Sequence, residues 1–524
     1  MDIERIGGVK TAVYPADVVG AKAANLSRMA ALGLPVPPAF VLPIELCAAI
    51  AAGDHDVQKK LTAGLAEGIA FLEQATGASF GDRRRPLLVS VRSGAARSMP
   101  GMLDTVLDVG CTAAAVHGLV RLTGNPHFAW DCRCRFLESY GDVVLSIDAA
   151  QFSARRAALA GAEGVLDSDS LEELAGEFLQ LIENEDEKVP DDPVEQLETA
   201  AQAVYRSWMS PRACTYRRLQ HMGDLQGTAV TVQAMVFGNR DRNSGAGVAF
   251  SRDPSTGASH PVVDVLFESQ GEDVVSGSCT PETEEAIERR LPRVAAQLRE
   301  TLARLEREFA DVQDIEITID SGKLWILQSR SAKRTPRAAL RFAIDFVREG
   351  LLSPAQALQR LDGIDPGALT ERRLAGTREP AARGVGASAG VAVGRAAFDS
   401  ESAQRLAARG DPVILLRPDT ATSDVAGFAA AGGIVTAVGG RTAHAALVAR
   451  QMGKPCVVGC AALVIDLAAH GARLGEAQIR QGDWLSIDGE AGTIFRGRCD
   501  VVAERPEADL AEVERWRDKT RLSA

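Results

Sequence analysis

His444 is the residue of this chain best suited to act as a nucleophile. It follows the pair Gly439–Gly440, and the Ala, Leu and Val residues after it predict a helix with Thr442 as its N-cap. His444 would then lie in the first helical turn, where free backbone N–H groups and the helix dipole favour an anion. A phosphoryl group on its imidazole would be partly neutralised there, whereas an isolated histidine near a helix start is more often an ordinary surface residue.

Two N-terminal segments carry basic side chains beside small residues, a combination that suits a polyphosphate. Lys22 lies in a run rich in Gly and Ala, and Arg92 follows the apolar run Leu87 to Val91 and begins a glycine-rich loop. Glycines let backbone N–H groups approach phosphate oxygens, and an arginine binds them with a planar fork. The loop lacks the Gly-Lys-Ser/Thr ending of a Walker motif. Taken singly, each segment is equally compatible with an ordinary solvated loop.

A second group of residues suits a metal ion and a nucleobase. Asp314 and Glu316 stand two apart in a predicted strand, so their carboxylates share one face, and Gln328 and Arg330 end the next predicted strand. Paired oxygen ligands suit Mg²⁺ that bridges phosphates. Gln233 lies in a strand whose edge is predicted to hydrogen-bond an adenine. The ordinary alternatives are two acids on an exposed strand face and a plain core strand.

The elements that would position these residues indicate a multidomain protein of mixed α/β and α+β class. Helical patterns dominate residues 150–220 and 335–362. Residues 227–330 are rich in strands, with a helical stretch at 281–309 between them. Residues 384–500 return to small β/α units rich in Gly, Ala and Val.

Composition excludes several classes of protein. A content of 46% hydrophobic and 24% charged residues is ordinary for a globular chain, and the formal net charge of −12 argues against a nucleic-acid or anionic-membrane partner. No apolar run reaches the ~20 residues that cross a bilayer, and the start lacks a signal-peptide core, so we expect a cytoplasmic protein. The nine cysteines lack zinc-like spacing and are predicted to be free, mostly buried thiols.

The stretch from Gly439 to Val457 resembles the swivelling phosphohistidine domain of the pyruvate, phosphate dikinase family, and related domains occur in phosphoenolpyruvate synthase and rifampin phosphotransferase. The nucleotide segments resemble, in chain order, the ATP-grasp domain of the same family, and Ser98 to Met102 is dikinase-like rather than synthase-like. The resemblance extends from about residue 18 to 500. It implies an ATP-grasp nucleotide-binding domain at 1–334 with a helical insert at about 150–220, a helical linker at 335–383, a swivelling phosphohistidine domain at 384–500 and a tail at 501–524.

Carried over by position, the resemblance implies that ATP is a substrate. Lys22 and Arg92 would bind its phosphates, Gly101 and Thr105 would lie in the loop that covers them, and Gln233 would sit by the adenine. These roles come from the family and not from the spacing of the residues.

The resemblance also implies Mg²⁺ as cofactor. Its ligands would be Asp314, Glu316 and Gln328, of which Glu316 and Gln328 also contact ATP. Arg330 would bind ATP and steady the phosphoryl group in transfer, and His444 would accept it. Thr442 resembles the position that supports the phosphohistidine and is a regulatory phosphorylation site in some relatives.

Several positions depart from the family pattern. Arg441 replaces the usual Met, Ala443 the usual Ser, and Cys279 the usual Arg, which puts efficiency in doubt more than identity. The chain ends about where the phosphoenolpyruvate/pyruvate barrel of a dikinase would begin, so we expect a truncated form and a monomer. Conversion of pyruvate to phosphoenolpyruvate would then need a separate barrel protein as partner.

The resulting hypothesis is a pyruvate, phosphate dikinase-like phosphotransferase. ATP, phosphate and His444 would give AMP, pyrophosphate and phosphohistidine. One alternative keeps this chemistry but transfers the phosphoryl group to a different acceptor or partner protein. A second alternative is a non-catalytic regulator that binds ATP.

Overall fold

A computed structural model of the chain describes residues 3–8, 12–97, 99, 102–160, 166–219, 221–276, 280–364, 369, 371–376, 379–419, 424–441, 443–466 and 471–523. The chain divides into two compact units. The first comprises Met1–Arg242 and Trp325–Ser329, and the second comprises Asn243–Leu324 and Arg330–Ala524.

The first unit contains seven described strands and nine described helices. The strands are β1 Glu4–Ile6, β2 Ala39–Leu42, β3 Ser79–Phe80, β4 Pro86–Leu87, β5 Val89–Ala95, β6 Thr105–Val109 and β7 Thr228–Ala234. The helices are α1 Ala16–Ala31, α2 Cys47–Ala51, α3 His55–Thr76, α4 Ala113–Thr123, α5 Pro126–Val143, α6 Ala149–Ala160, α7 Ser168–Asn184, α8 Pro193–Arg206 and α9 Pro211–Leu219.

A five-stranded antiparallel sheet of order β1-β2-β7-β5-β6 forms the centre of the first unit. Every residue of β7 is buried, because its small and β-branched side chains suit a strand covered on both faces. The helical pattern predicted for residues 150–220 is confirmed by α6 to α9. In α7, Leu171, Leu174 and Phe178 recur at helical spacing and are buried, and Asp167 caps the start by accepting from the Ser170 N–H.

The second unit contains the remaining described elements, and residues 325–329 of its strand β11 belong to the first unit. The strands are β8 Gly245–Phe250, β9 Val262–Phe267, β10 Gln313–Asp320, β11 Lys323–Ser331, β12 Glu371–Leu374, β13 Ala382–Arg383, β14 Val385–Ser388, β15 Val391–Ala397, β16 Val413–Arg417, β17 Gly433–Thr436, β18 Cys456–Val458, β19 Leu463–Asp466, β20 Gly471–Leu474, β21 Ala477–Arg480, β22 Trp484–Asp488, β23 Thr493–Arg496 and β24 Val501–Glu504. The helices are α10 Gly271–Ser276, α11 Glu284–Arg290, α12 Pro292–Phe309, α13 Pro336–Arg348, α14 Pro354–Arg360, α15 Ser400–Ala408, α16 Val425–Ala430, α17 His444–Gln451 and α18 Glu507–Ser523.

Strands β10, β8 and β9 pair antiparallel in that order and form what we call the acidic-face sheet, after the carboxylates described below. Val248 and Phe250 of β8 pack in one hydrophobic cluster with Phe342 and Phe346 of α13. The strand-rich character predicted for residues 227–330 is confirmed, as are helices within 281–309.

The segment 382–496 folds around an eight-stranded sheet of order β13-β23-β22-β15-β16-β17-β18-β14, here called the C-terminal β/α fold. Strands β15 to β18 run parallel, and α17 connects β17 to β18 as a crossover helix. Such crossovers place the start of the helix near the carboxyl end of the preceding strand, where α/β sheets commonly bind ligands.

The predicted linker is only partly helical. Helices α13 and α14 are present, but β12 follows them and pairs antiparallel with β24 of the predicted tail. Leu340 and Ile344 of α13 also pack with Val513 and Trp516 of α18. Linker and tail therefore share one small core, because both present apolar faces that neither can bury alone.

Candidate functional site

His444 is the first residue of α17, as the sequence predicts. The cap position, however, is occupied by Ala443, with φ −61° and ψ 157°, and not by Thr442, which lies outside the described residues. Ala443 has no side chain to satisfy the first helical N–H groups, so the start of α17 keeps backbone donors without a side-chain cap. The first turn therefore retains the polarity that favours an anion.

Lys22 is positioned by a close approach between α1 and β5. Gly20 has a φ of 80°, a left-handed conformation that interrupts α1 and favours glycine. A Cβ at Gly20 would lie 2.6 Å from the carbonyl carbon of Gly94 and closer still to its oxygen. A Cβ at Gly94 would in turn be 4.0 Å from the Cβ of Lys22. The half-buried Lys22 therefore lies beside the end of β5.

Arg92, Thr105 and Gln233 meet on the sheet of the first unit. Arg92 lies opposite Thr105 on β6 and opposite Thr231 on β7. One terminal nitrogen of Arg92 donates to Oε1 of Gln233 at 3.4 Å, and Nε2 of Gln233 donates to the carbonyl oxygen of Pro37 at 3.2 Å. The structure brings these three residues together, although they stand far apart in the chain.

Of the two interpretations that the sequence left open for the strand with Gln233, the structure shows the core strand. Strand β7 pairs with β2 on one side and with β5 on the other, so that Gln233 lies opposite both Ala39 and Ser90. Its backbone is thus used by the sheet, because an interior strand has both hydrogen-bonding edges occupied. Any contact of Gln233 with a nucleobase must come from its side chain, which is 2% exposed.

Asp314 and Glu316 share one face of β10, as predicted. Asp314 lies opposite Phe250 and Glu316 opposite Val248, which is in turn opposite Asp264 on β9. Residues directly opposite one another in an antiparallel sheet point to the same side, so three carboxylates lie on one face. The sequence predicted two of these three carboxylates on one face, and it did not assign a role to Asp264.

The electrostatics of this face are dominated by the Asp314–Arg330 pair. Nε of Arg330 donates to Oδ2 of Asp314 at 2.8 Å, and Asp314 is 3% exposed. Burial raises the pKa of Asp314, although Arg330 works against that rise. Burial works to lower the pKa of Arg330, but Asp314 and Glu316 outweigh it and the pKa is raised. The guanidinium of Arg330 is therefore held as a cation beside the two carboxylates.

The acidic residues fit a hard divalent cation in part. Oδ1 of Asp314 is buried and has no hydrogen-bond partner among the described residues, which leaves one carboxylate oxygen to ligate. Over the same part of the chain, no group of three His, Cys, Asp or Glu side chains is arranged to hold a metal. Two carboxylates would suit Mg²⁺ only with phosphate and water oxygens added, which is how Mg²⁺ is commonly bound at nucleotides.

The loop before His444 contacts the acidic face. A Cβ at Gly440 would lie 2.7 Å from Oδ2 of Asp264 and equally far from Cδ of Pro281. The hydroxyl of Ser255, in the loop after β8, donates to the carbonyl oxygen of Ala387 in β14 at 3.0 Å. The C-terminal β/α fold is thus packed on the acidic-face sheet, with the turn that leads to His444 at the contact.

Sequence reasoning missed Asp264 and Arg450. Each had a signal in the sequence. Asp264 is a single charge within the apolar strand Val262–Phe267, and Arg450 directly follows the apolar residues 445–449 of α17. Both are almost fully buried, at 3% and 2% exposed respectively. A buried charge inside an apolar segment generally needs a partner, and that partner is set by the tertiary structure.

The remaining predicted residues are only partly described. Gly101 and Cys279 lie outside the described residues, as Thr442 does. Gln328 falls in the part of β11 that belongs to the first unit, whereas Asp314, Glu316 and Arg330 belong to the second. Its segment is held to the first unit by Nδ2 of Asn25, which donates to the carbonyl oxygen of Ser329 at 2.9 Å. The strand segment that contains Gln328 is therefore attached to α1, the helix that carries Lys22.

The described cysteines are free, and most of them are buried, as predicted. Burial raises the pKa of both Cys134 and Cys456 to about 12. None of the described helices is both long and apolar enough to span a membrane.

Two family models match the chain. The one described as pyruvate phosphate dikinase, AMP/ATP-binding domain, matches residues 56–295, and the one described as PEP-utilising enzyme, mobile domain, matches residues 410–492. The first match covers parts of both units, and the second lies within the C-terminal β/α fold.

Curated relatives are similar over 96% of this chain. Pyruvate, phosphate dikinase of Clostridium symbiosum is 39% identical over 522 residues, which are 59% of that relative. The protein of the same name from Rhizobium meliloti (strain 1021) is 40% identical over 532 residues, or 58% of its length. Pyruvate, phosphate dikinase 1, chloroplastic, from Arabidopsis thaliana is 40% identical over 521 residues, or 53% of its length. This chain thus spans between 53% and 59% of the length of these relatives.

Proposed function

Because this chain belongs to the pyruvate, phosphate dikinase family, we propose that it is an ATP-dependent phosphotransferase that loads His444. In the proposed reaction ATP, phosphate and the imidazole give AMP, pyrophosphate and phosphohistidine. Of the four phosphoryl groups that enter, one stays on AMP, two leave as pyrophosphate and one is bound to His444.

The observation that carries this proposal is the contact between Gly440 and Asp264. It brings the turn before His444 to the same sheet face as Asp314 and Glu316. A nucleophile that begins a helix and a pair of carboxylates suited to a metal–nucleotide complex are the two components that phosphoryl transfer needs close together.

The proposed roles follow the charges. Lys22 and Arg92 bind the ATP phosphates, and Gly101 contributes to the loop over them. Thr105 was expected in that loop but is the first residue of β6, opposite Arg92. Gln233 contacts the adenine through its side chain. These residues contribute mainly by positioning and charge neutralisation, which supply most of the rate enhancement in phosphoryl transfer.

Asp314 and Glu316, with Gln328, would hold Mg²⁺, and the ion would supply positive charge that neutralises part of the charge on the ATP phosphates. Arg330, kept cationic by Asp314, stabilises negative charge on the phosphoryl group in transfer. His444 must attack as the neutral imidazole, so the loading rate should fall as the pH drops below its pKa. Thr442 supports the loaded histidine.

The test is intact-mass spectrometry after incubation with MgATP, with and without phosphate, while AMP is assayed in parallel. Wild type should gain one acid-labile phosphoryl group and release AMP only with phosphate, and His444→Ala should do neither. His260→Ala, which changes an exposed histidine of the same unit, is the matched control and should behave as wild type. ATP binding without phosphoprotein or AMP in the wild type would reject the proposal in favour of an ATP-binding regulator.

The final acceptor is a separate proposal, because the relatives' names mention pyruvate. We propose that phosphohistidine is passed to pyruvate to give phosphoenolpyruvate. Isolated phosphoprotein should be incubated with pyruvate, and loss of the phosphoryl group should be matched by phosphoenolpyruvate formed. Retention of the phosphoryl group would mean that another protein or another acceptor is required.

A further inference from the structure

Arg450 is a buried cation for which the loading reaction proposed above has no use. It is 2% exposed and lies on α17, the helix that begins with His444. Its Nε donates to the carbonyl oxygen of Ala387 at 3.1 Å. Its two terminal nitrogens are buried and have no hydrogen-bond partner among the described residues. Such a group is costly, since a buried guanidinium normally has its donors satisfied.

The guanidinium of Arg450 lies over the acidic-face sheet. Its central carbon is 5.3 Å from the centroid of the Phe250 ring in β8. Phe250 is directly opposite Asp314 in β10, so Asp314 points to the face that Arg450 covers. Asp314 has an unsatisfied acceptor, because its Oδ1 is buried without a hydrogen-bond partner in the described part of the chain.

The charges of the two groups are coupled. Burial lowers the pKa of Arg450, and the nearby carboxylates of Asp314 and Asp264 oppose that effect. The two carboxylates that oppose the effect of burial most strongly both belong to the acidic-face sheet, whereas Cys456 belongs to the C-terminal β/α fold that carries Arg450. If the fold moved away from the sheet, both Arg450 and Asp314 would become hydrated.

We propose that Arg450 is a docking residue that holds the C-terminal β/α fold on the acidic-face sheet, where its guanidinium covers Phe250 and is attracted by the carboxylate of Asp314. Because Arg450 and His444 belong to one short helix, this contact also fixes the helix that carries the nucleophile. The effect of Arg450 on docking does not depend on the proposed phosphoryl transfer. The consequence of docking for the rate of His444 loading rests on the proposed function.

A purely structural role within the C-terminal β/α fold is the competing explanation, since the bond to Ala387 joins α17 to β14. Arg395 provides the matched control. It is an arginine of the same fold whose Nε pairs with Asp411 at 3.1 Å and whose terminal nitrogen donates to Gly482 at 2.9 Å. Both partners lie in the same fold, so Arg395→Met should lower thermal stability without changing docking.

The experiment measures docking in the full chain without nucleotide, by small-angle X-ray scattering and by hydroxyl-radical oxidation of Phe250. The ring of Phe250 is 1% exposed and should become more reactive when the fold leaves the sheet. Arg450→Met and Asp314→Asn should each raise the ratio of undocked to docked protein about 10- to 100-fold, because each removes one of the two buried groups whose attraction favours docking. Asp314 keeps its bond to Arg330 in Arg450→Met. Arg450→Lys should fall between wild type and Arg450→Met.

The double variant distinguishes electrostatic attraction from loss of packing. Arg450→Met combined with Asp314→Asn removes an attraction that either single variant already removes, so the two effects on docking should not add. The proposal is overturned if Arg450→Met lowers stability while scattering and Phe250 oxidation stay at wild type, or if the two single effects simply add. If Arg450→Met does not fold, the Asp314→Asn variant alone tests the proposal. Unchanged docking in Asp314→Asn also overturns the proposal. Neither scattering nor Phe250 oxidation requires ATP, so the docking result would stand even if His444 were not phosphorylated.

Discussion

Gly440→Ala is the substitution that best separates docking of the C-terminal β/α fold from its folding. Gly440 is not among the glycines with positive φ, so alanine meets no backbone strain there. The added Cβ would be 2.7 Å from both Oδ2 of Asp264 and Cδ of Pro281. Both atoms belong to the acidic-face sheet and the segment after it, so the clash exists only while the fold is docked.

The magnitude follows from the contact distances. Ordinary contacts between carbon atoms begin at about 3.5 Å, so a gap of at least about 0.8 Å must open. Overpacking of this kind costs about 1–3 kcal/mol, which corresponds to about 5- to 150-fold less docked protein. In a single-turnover experiment the rate of His444 phosphorylation should fall by the same factor. ATP affinity should change less, because the proposed contacts of Lys22 and Arg92 in the first unit are untouched.

The control is Gly432→Ala in the same fold. Gly432 also lacks positive φ, and its Cβ would be 3.5 Å from the carbonyl oxygen of Val413, an ordinary contact. This variant should load His444 at the wild-type rate. A wild-type rate for Gly440→Ala as well would refute the role of the Gly440–Asp264 contact, and an equal loss of ATP affinity would show that the clash acts elsewhere.

Three further predictions concern other parts of the chain. Gly20→Ala should lower ATP affinity about 10- to 100-fold by calorimetry, because it displaces Lys22 from β5 and loses one charged contact with phosphate. Arg252→Met should lower the free energy of unfolding in urea by about 3–5 kcal/mol, because the buried Arg252 donates twice to Glu306, at 2.7 and 3.0 Å. Cys134 should resist thiol reagents in native protein at pH 8, because burial raises its pKa to about 12 and little thiolate forms.

Each of these three has an internal control. Gly33 also has positive φ, at 72°, but no atom lies near its Cβ position, so Gly33→Ala should show backbone strain without loss of ATP affinity. Arg405→Met removes an exposed ion pair with Glu401 and should change stability by less than about 0.5 kcal/mol. Half-buried Cys214 should react before Cys134, as peptide mapping would show. If a variant or cysteine and its control give equal effects in any of these three comparisons, the physical reason given for that prediction is contradicted.

The sequence predicted what local patterns determine. The helix that begins at His444, the shared face of Asp314 and Glu316 and the helices between residues 150 and 220 all depend on residue spacing, and all are present. Strand order was not predictable in this way. Strand β7 is interior because β2 and β5, which lie far from it in the chain, pair with both its edges. The sequence alone left both an edge strand and a core strand open at Gln233.

The buried charges show the same limit of local patterns. Asp264 and Arg450 each stand in an apolar segment, and a local pattern cannot tell whether such a charge finds a partner or faces solvent. Their significance depends on the register of β9 on β8 and on the packing of α17 over Phe250. Both are long-range features, set by the burial of whole elements.

The acidic face explains why docking and nucleotide chemistry share one set of groups. Asp264, Asp314 and Glu316 place three carboxylates on one side of a small sheet, and like charges at this spacing disfavour ionisation unless cations compensate. Arg330 supplies one cation from the same unit, through its bond to Asp314. Arg450 arrives with the C-terminal β/α fold, so docking itself brings positive charge to the face where a metal–nucleotide complex is proposed to bind. Any ligand that changes the charge of this face should therefore change how tightly the fold that carries His444 is held there.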